Sequence, residues 1–272
     1  MPFTEHNGTR LHWEERGPEN GAKTASTILL VMGHRYSSAM WYPAIPELSK
    51  THRVIWFDNQ GTGQSGYRKT TSVEEMAGDA FAVMDAAGVA KAHIFGVSMG
   101  GVIVLEMARR HRERVIGLIV GCSGILSADK PRMPSWAKII YYMPPWLLKA
   151  LTPKKRGDGA YGSAAKPADI AHDTAVLDKD PYVVAGVLAQ AMAIAGYTLS
   201  KEEVAGFKVP TLVLHGDEDG TVPFAYGEEL AATLPGARFV RIEGAGHNFL
   251  VAGKEKTLGA LGAFIDELDA AA

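Results

Sequence analysis

Apolar and polar positions along this chain follow two rhythms. Residues 27–32, 53–58, 92–96 and 115–121 are short runs rich in Ile, Val, Leu and Phe, the composition of strands covered on both faces. Helical spacing governs residues 72–87, where Ser72 and Glu75 form a capping box, and residues 99–111. Two further strands, 211–215 and 237–242, and two further helices, 224–233 and 254–270, complete the pattern. Such alternation predicts an α/β fold, a mainly parallel sheet with helices on both faces. The start differs: residues 2–6 and 9–16 flank Asn7-Gly8, which readily takes the positive φ angles of a tight hairpin, so these strands are expected to be antiparallel.

Residues 125–206 break the alternation. They keep helical periodicity, lack a strand signal and contain Pro131, Pro134, Pro144, Pro145, Pro153 and Pro167. We read them as a helical cap inserted into a core made of residues 1–124 and 207–272. The first half of the insert concentrates Trp136, Tyr141, Tyr142, Met143 and Trp146. Packing against the sheet accounts for most such residues. If the insert is a lid, Trp136, Tyr141 and Trp146 line a substrate pocket. Residues 154–159, charged and glycine-rich, read as a solvated loop tip.

Composition narrows the function classes. Lys and Arg total 28 against 30 Asp and Glu, a net charge of −2, which gives no electrostatic reason to expect nucleic acid or an anionic membrane as partner. With 47% hydrophobic and 21% charged residues in 272, the chain is globular rather than disordered or coiled-coil. Cys122 is the single cysteine, which excludes an internal disulfide or a thiolate metal cluster and fits a reducing compartment. No signal-peptide pattern opens the sequence, and no apolar run approaches the roughly 18 residues of a membrane span. A soluble cytoplasmic protein is expected.

The chemistry concentrates at strand ends. In Gly96-Val97-Ser98-Met99-Gly100, a sharp turn between strand and helix would lift the serine hydroxyl above the sheet edge, with small neighbours to avoid clashes. The pentapeptide alone is weak evidence; its strand–helix context strengthens it. A serine hydroxyl needs a base to take its proton and an acid to hold that base. Candidate acids follow the strand 211–215 in Gly216-Asp217-Glu218-Asp219, and a candidate base, His247, follows the strand that ends near Ile242.

Serine, acid and histidine occur in the order of one fold family, and with its other motifs the chain resembles the α/β-hydrolase family over essentially its whole length. Gly33-His34 stands where that family places its first oxyanion turn. Asp58 to Ser65 resembles its Asp-x-x-Gly-x-Gly-x-Ser loop, and Val222-Pro223 and Gly246-His247 match its acid and base turns. The resemblance implies an eight-stranded, mostly parallel sheet flanked by helices, with an inserted helical cap. It makes Ser98 the nucleophile, His247 the base and Asp219 the orienting acid, with Asp217 as the rival acid. The main-chain N–H groups of His34 and Met99 become the oxyanion hole, and Gly33, Arg35 and Val222 flank the substrate. No cofactor and no metal are implied. One departure stands out: Met32-Gly33-His34-Arg35-Tyr36 replaces the common His-Gly turn. A main-chain donor survives that change. The His34 side chain reads as packed or hydrogen-bonded rather than as a second acid or base.

Other readings fit less well. Gly61 to Gly66 matches Gly-x-Gly-x-x-Gly, but residues 67–71 separate it from the next helix, whose N-terminus a dinucleotide site needs at once. Asp217, Glu218 and Asp219 lack the ligand spacing of a cation loop. Cys122 reads as a small buried hydrophobe, and Asp79 and Asp85, on a helix, as surface or structural. A serine rather than an aspartate at position 98 argues against dehalogenase and epoxide hydrolase chemistry. The leading expectation is hydrolysis of small apolar esters or lactones, with turnover rising with pH as His247 becomes neutral and then levelling. Carbon–carbon bond hydrolases and haloperoxidase-type perhydrolases share the same constellation, and a slow receptor is a reading of another class. The expected partner is a small ester or lactone, and assembly is open between monomer and homodimer.

Overall fold

A computed structural model describes residues 2–18, 26–128 and 160–271. The chain opens with β1 (Phe3–His6) and β2 (Thr9–Arg16), an antiparallel pair around Asn7 and Gly8, both at positive φ as the dipeptide requires. β3 (Thr27–Val31) leads through a 3₁₀ turn (Ser38–Trp41) and the short α1 (Ile45–Leu48) to β4 (Arg53–Phe57). Then come α2 (Val73–Ala86), β5 (Ala92–Val97), α3 (Met99–Arg110) and β6 (Val115–Gly121). Between β6 and β7 the described residues hold α4 (Pro167–Leu177), α5 (Val184–Gly196) and α6 (Lys201–Ala205). The chain closes with β7 (Thr211–Gly216), α7 (Phe224–Thr233), β8 (Arg238–Ile242), α8 (Phe249–Ala252) and α9 (Lys254–Ala270).

The eight strands form one sheet in the order β1-β2-β4-β3-β5-β6-β7-β8. β2 pairs antiparallel with β4, and every pairing beyond β4 is parallel. Alternation along each central strand divides the core in two. Leu29 and Val31 of β3 join Ile94 and the inner faces of α2 and α3, while Ile28 and Leu30 join Phe95, Leu212 and the Leu261, Phe264 and Ile265 stripe of α9. Burial of each such side chain contributes about 1.5–3 kcal/mol. The capping box at α2 is present, Ser72 accepting from the Glu75 N–H and Glu75 from the Ser72 N–H.

The α/β expectation and the eight-stranded sheet hold, with strand and helix ends within a residue or two of the sequence pattern. Not foreseen were α1, α8 and the 3₁₀ turns at Ser38–Trp41 and Arg112–Arg114, each too short to carry a period. Residues 160–206 contain helices and no strand; their one β-bridge joins Tyr182 to Thr62. Among the described residues no helix is long and apolar enough to cross a membrane.

Candidate active site

Ser98 sits between the end of β5 and the start of α3, at φ 56° and ψ −120°. An L-residue in that region carries strain of order 1–3 kcal/mol, which the surroundings must impose. They leave little choice. A Cβ at Gly96 would lie 2.1 Å from the Gly100 carbonyl oxygen, and one at Gly100 2.1 Å from that of Val31. The Ser98 N–H is held by the Gly121 carbonyl at 2.8 Å. Met99 is the first residue of α3, so its N–H is among the donors a helix start leaves without an internal partner, and it adds to the positive end of the helix beside Ser98.

Two loops at the C-terminal ends of β7 and β8 supply the acid and base. His247 Nδ1 lies 2.8 Å from Asp219 Oδ2, and the Thr221 and Val222 N–H groups donate to Oδ1 at 2.8 and 2.9 Å. The Asp219 side chain is wholly buried. Burial by itself raises its pKa, but hydrogen bonds from His215, His247 and the Val222 N–H, with the nearby His247 charge, outweigh it and hold the carboxyl well below the usual range. Asp217 does not meet His247: its carboxylate binds Arg241 at 2.6 and 2.8 Å and the Gly244 N–H at 2.7 Å. With Nδ1 committed to Asp219, Nε2 is the nitrogen of His247 left to accept a proton.

Ser98 and His247 open onto one cavity of about 490 Å³ including its mouth. Met32, Met40, Val97, Phe249 and Leu250 make its apolar walls; Gly33, His34, Tyr36 and Asn248 also face it. Gly33 keeps that approach uncrowded, since a Cβ would lie 3.1 Å from Ser98 Cβ and 3.2 Å from the Val97 carbonyl oxygen. The His34 ring is hydrogen-bonded, as expected, donating from Nε2 to the Val187 carbonyl at 3.0 Å. Burial lowers its pKa despite that bond, and the Arg35 charge lowers it further, so the ring stays neutral. Arg35 and Val222 do not line this cavity. Arg35 has φ 75°, donates its N–H to Gln190 Oε1 at 3.0 Å and lays its guanidinium 5.0 Å from the Tyr182 ring centre. Val222 braces Asp219 through its main chain. Trp136, Tyr141, Tyr142, Met143, Trp146 and the 154–159 loop lie outside the described residues.

Residues that sequence reasoning passed over tie residues 160–206 to each of these loops. Gln190 Nε2 donates to the Gln60 carbonyl at 2.7 Å while its Oε1 holds Arg35. The signal was a lone amide in the otherwise apolar Val184–Gly196 helix. Gly246 and Asn248 donate to the carbonyls of Tyr161 and Ala160 at 2.8 and 2.6 Å, Ala164 donates to that of Gly244 at 2.8 Å, and Ser163 binds Glu218. Asp173, fully buried on α4, accepts from Tyr42, Tyr161 and Asn248 at 2.9–3.1 Å. Nothing in the linear pattern marked Asp173.

Behind the acid, Cys122, His215 and Asp219 bring a thiol, an imidazole and a carboxylate within 4.8 Å of one another, all buried. Burial pushes the Cys122 thiol well above its usual range and the Asp219 charge adds to it, so the sulfur stays protonated beside the acid. His215 Nε2 faces Asp219 Oδ2 at 3.3 Å and the Val222 carbonyl at 3.1 Å. As they stand, the three groups back the acid, with His215 and Cys122 both directed at the Asp219 carboxylate.

Known proteins resemble this chain over most of its length. The profile of the family described as Serine aminopeptidase, S33 matches residues 23–253. A protein of Azorhizobium caulinodans provisionally named carbamate hydrolase RutD is 30% identical over 266 residues, covering 92% of each chain. The crystal structure of the enol-lactonase from Burkholderia xenovorans LB400 superposes with a TM-score of 0.81 at 27% identity, over 97% of this chain and 100% of that one. A thermophilic esterase from Thermogutta terrifontis superposes at 0.80 with 26% identity, over 98% of this chain and 97% of the other.

Proposed function

Because this chain belongs to the α/β-hydrolases, in the Serine aminopeptidase, S33 family, and is a hydrolase, we propose that it cleaves small carboxylic esters or lactones through an acyl-enzyme on Ser98. One observation carries the reading: a serine in a positive-φ turn shares a cavity with a histidine whose other nitrogen is bonded to a buried carboxylate. Ser98 Oγ attacks the substrate carbonyl while His247 Nε2 takes its proton. The N–H groups of His34 and Met99 hold the oxyanion, and Asp219 stabilises the imidazolium. His247 then protonates the leaving alcohol, or the ring oxygen of a lactone, and activates the water that releases the acid.

The apolar walls favour uncharged acyl or alkyl groups, and no carboxylate or ammonium side chain faces the cavity among the described residues. Residues 125–206 act in this reading as a cap, with Trp136, Tyr141 and Trp146 as roof residues. The single buried cysteine fits a cytoplasmic enzyme. A burst of chromophore from p-nitrophenyl acetate, followed by steady turnover, is expected, together with a mass increase on Ser98 after treatment with a fluorophosphonate. Linear esters, lactones and carbamates compared side by side locate the preferred carbonyl. Carbamates are included because the relative from Azorhizobium is named for them. Absence of both burst and label would remove the acyl-enzyme.

A further inference from the structure

We infer that His215 is a positioning residue for the acid of the triad, a neutral second donor that fixes the Asp219 carboxylate so that Oδ2 meets His247; the inference rests on the triad reading above. His215 is the penultimate residue of β7, four residues before Asp219, and both side chains are completely buried. Its Nε2 lies 3.3 Å from Asp219 Oδ2 and 3.1 Å from the Val222 carbonyl. Two acceptors at one nitrogen place the proton on Nε2. Nδ1 is buried with no hydrogen-bond partner among the described residues. A proton there would be a buried, unsatisfied donor, so Nδ1 is bare and the ring neutral.

The fold makes room for this ring at a cost. Gly227 lies inside α7, where glycine is unfavourable, and a Cβ there would come within 2.3 Å of His215 Nδ1. Phe224 of the same helix meets the ring edge-on at 5.8 Å. Strand, turn and helix therefore form a slot for an imidazole pointed at Asp219. Neutrality matters to the chemistry. A cation at this place would cancel the charge that Asp219 offers to the His247 imidazolium, whereas a neutral N–H orients the carboxylate and leaves most of that charge in place. Among the described residues, the titratable groups facing Asp219 are Cys122 just after β6, His215 from β7 and His247 from the loop after β8.

The test compares His215→Leu, which removes the donor, with His215→Gln, whose amide nitrogen reaches near the position of Nε2. The readouts are kcat, KM, the pH profile of kcat/KM on p-nitrophenyl acetate, and Tm. His215→Leu is expected to lower kcat about ten- to hundredfold with KM little changed, the loss of one hydrogen bond to a charged group. The acid limb of its profile should move to higher pH, because a carboxylate with fewer donors stabilises the His247 imidazolium more strongly. His215→Gln is expected to restore most of kcat and the wild-type limb. If the leucine variant does not fold, His215→Asn, polar but too short to reach Asp219, takes its place. Unchanged kcat and an unmoved limb overturn the inference. Equal loss in both variants with an unmoved limb also overturns it, since that is the signature of a slot filler. Failure of the triad reading would look different: Ser98→Ala would keep wild-type turnover, whereas failure of the His215 role leaves dependence on Ser98 intact.

Discussion

Ser98 is held in a conformation that its side chain disfavours, and stability and chemistry should therefore part company there. Ser98→Gly is expected to abolish ester turnover, by about 10⁴-fold or more, yet to leave the fold as stable as the wild type or more stable by about 1 kcal/mol, because glycine accepts positive φ. Steady-state assay and urea unfolding on one preparation check both halves; a marked loss of stability would show that the turn is not strained. The oxyanion turn allows a second separation. His34→Ala keeps the main-chain N–H and should spare much of the turnover while loosening the contact with Val187. His34→Pro removes that N–H and should cost about 2.7–4 kcal/mol in the barrier, roughly a hundred- to thousandfold in kcat. Circular dichroism must show the proline variant folded. A folded His34→Pro enzyme with near-normal kcat would take the oxyanion role from this residue. Ser98, Asp219 and His247 were legible in sequence because each lies in a glycine-bounded turn after an apolar strand. His215 and Asp173 were not, since their meaning depends on what lies opposite them in space.

At the level of elements, residues 160–206 brace the loops around the site. Gln190 of α5 ties the turn after β3 to the loop after β4, accepting from the Arg35 N–H and donating to the Gln60 carbonyl. Gln190→Leu leaves the buried Gln60 carbonyl without its partner, a loss of about 1–3 kcal/mol, and frees the half-buried Arg35 N–H. Lower Tm together with lower kcat is expected, since the His34 turn would be less firmly placed; intact kcat in a destabilised variant would reduce Gln190 to packing. Helix α7 gives a reversal of the usual rule. Gly→Ala inside a helix normally stabilises by about 0.5–1 kcal/mol, but Gly227→Ala should destabilise, because the new methyl meets the His215 ring. Thermal melts decide the sign. Long elements such as α9 and the central strands showed in the sequence because many residues repeat the same period. α1 and α8 are single turns set by tertiary packing, with Leu48, Phe249 and Leu250 filling the face of the core opposite α2 and α3.

For the whole molecule, acid sensitivity should follow from histidines kept neutral inside the fold. Burial lowers the pKa of His34 and of His93, in the second case against the pull of Asp269. The unfolded chain then takes up protons first, so the stability these residues leave intact above pH ~6.5 is lost as pH falls toward their folded-state values, and the loss levels off below them. Urea unfolding from pH 7.5 to 5 should show decreasing stability; a flat or rising profile across that window would contradict it. Asp219, with its lowered pKa, adds its own loss only in much stronger acid. The main-chain bonds between residues 160–164 and 244–248 bear on how such a protein can be recombined. Residues 160–206 lie between β6 and β7 on the linear map, but their partners are spread over four other loops: Ser163 with Glu218, Asp173 with Asn248, Val187 with His34 and Gln190 with Gln60. A chimera that imports a foreign insert without these counterparts should assemble its sheet and still turn over poorly. In crosses between related genes, the viable exchanges are those that inherit matched pairs, so the unit of inheritance in this fold is a set of scattered contacts rather than a stretch of sequence.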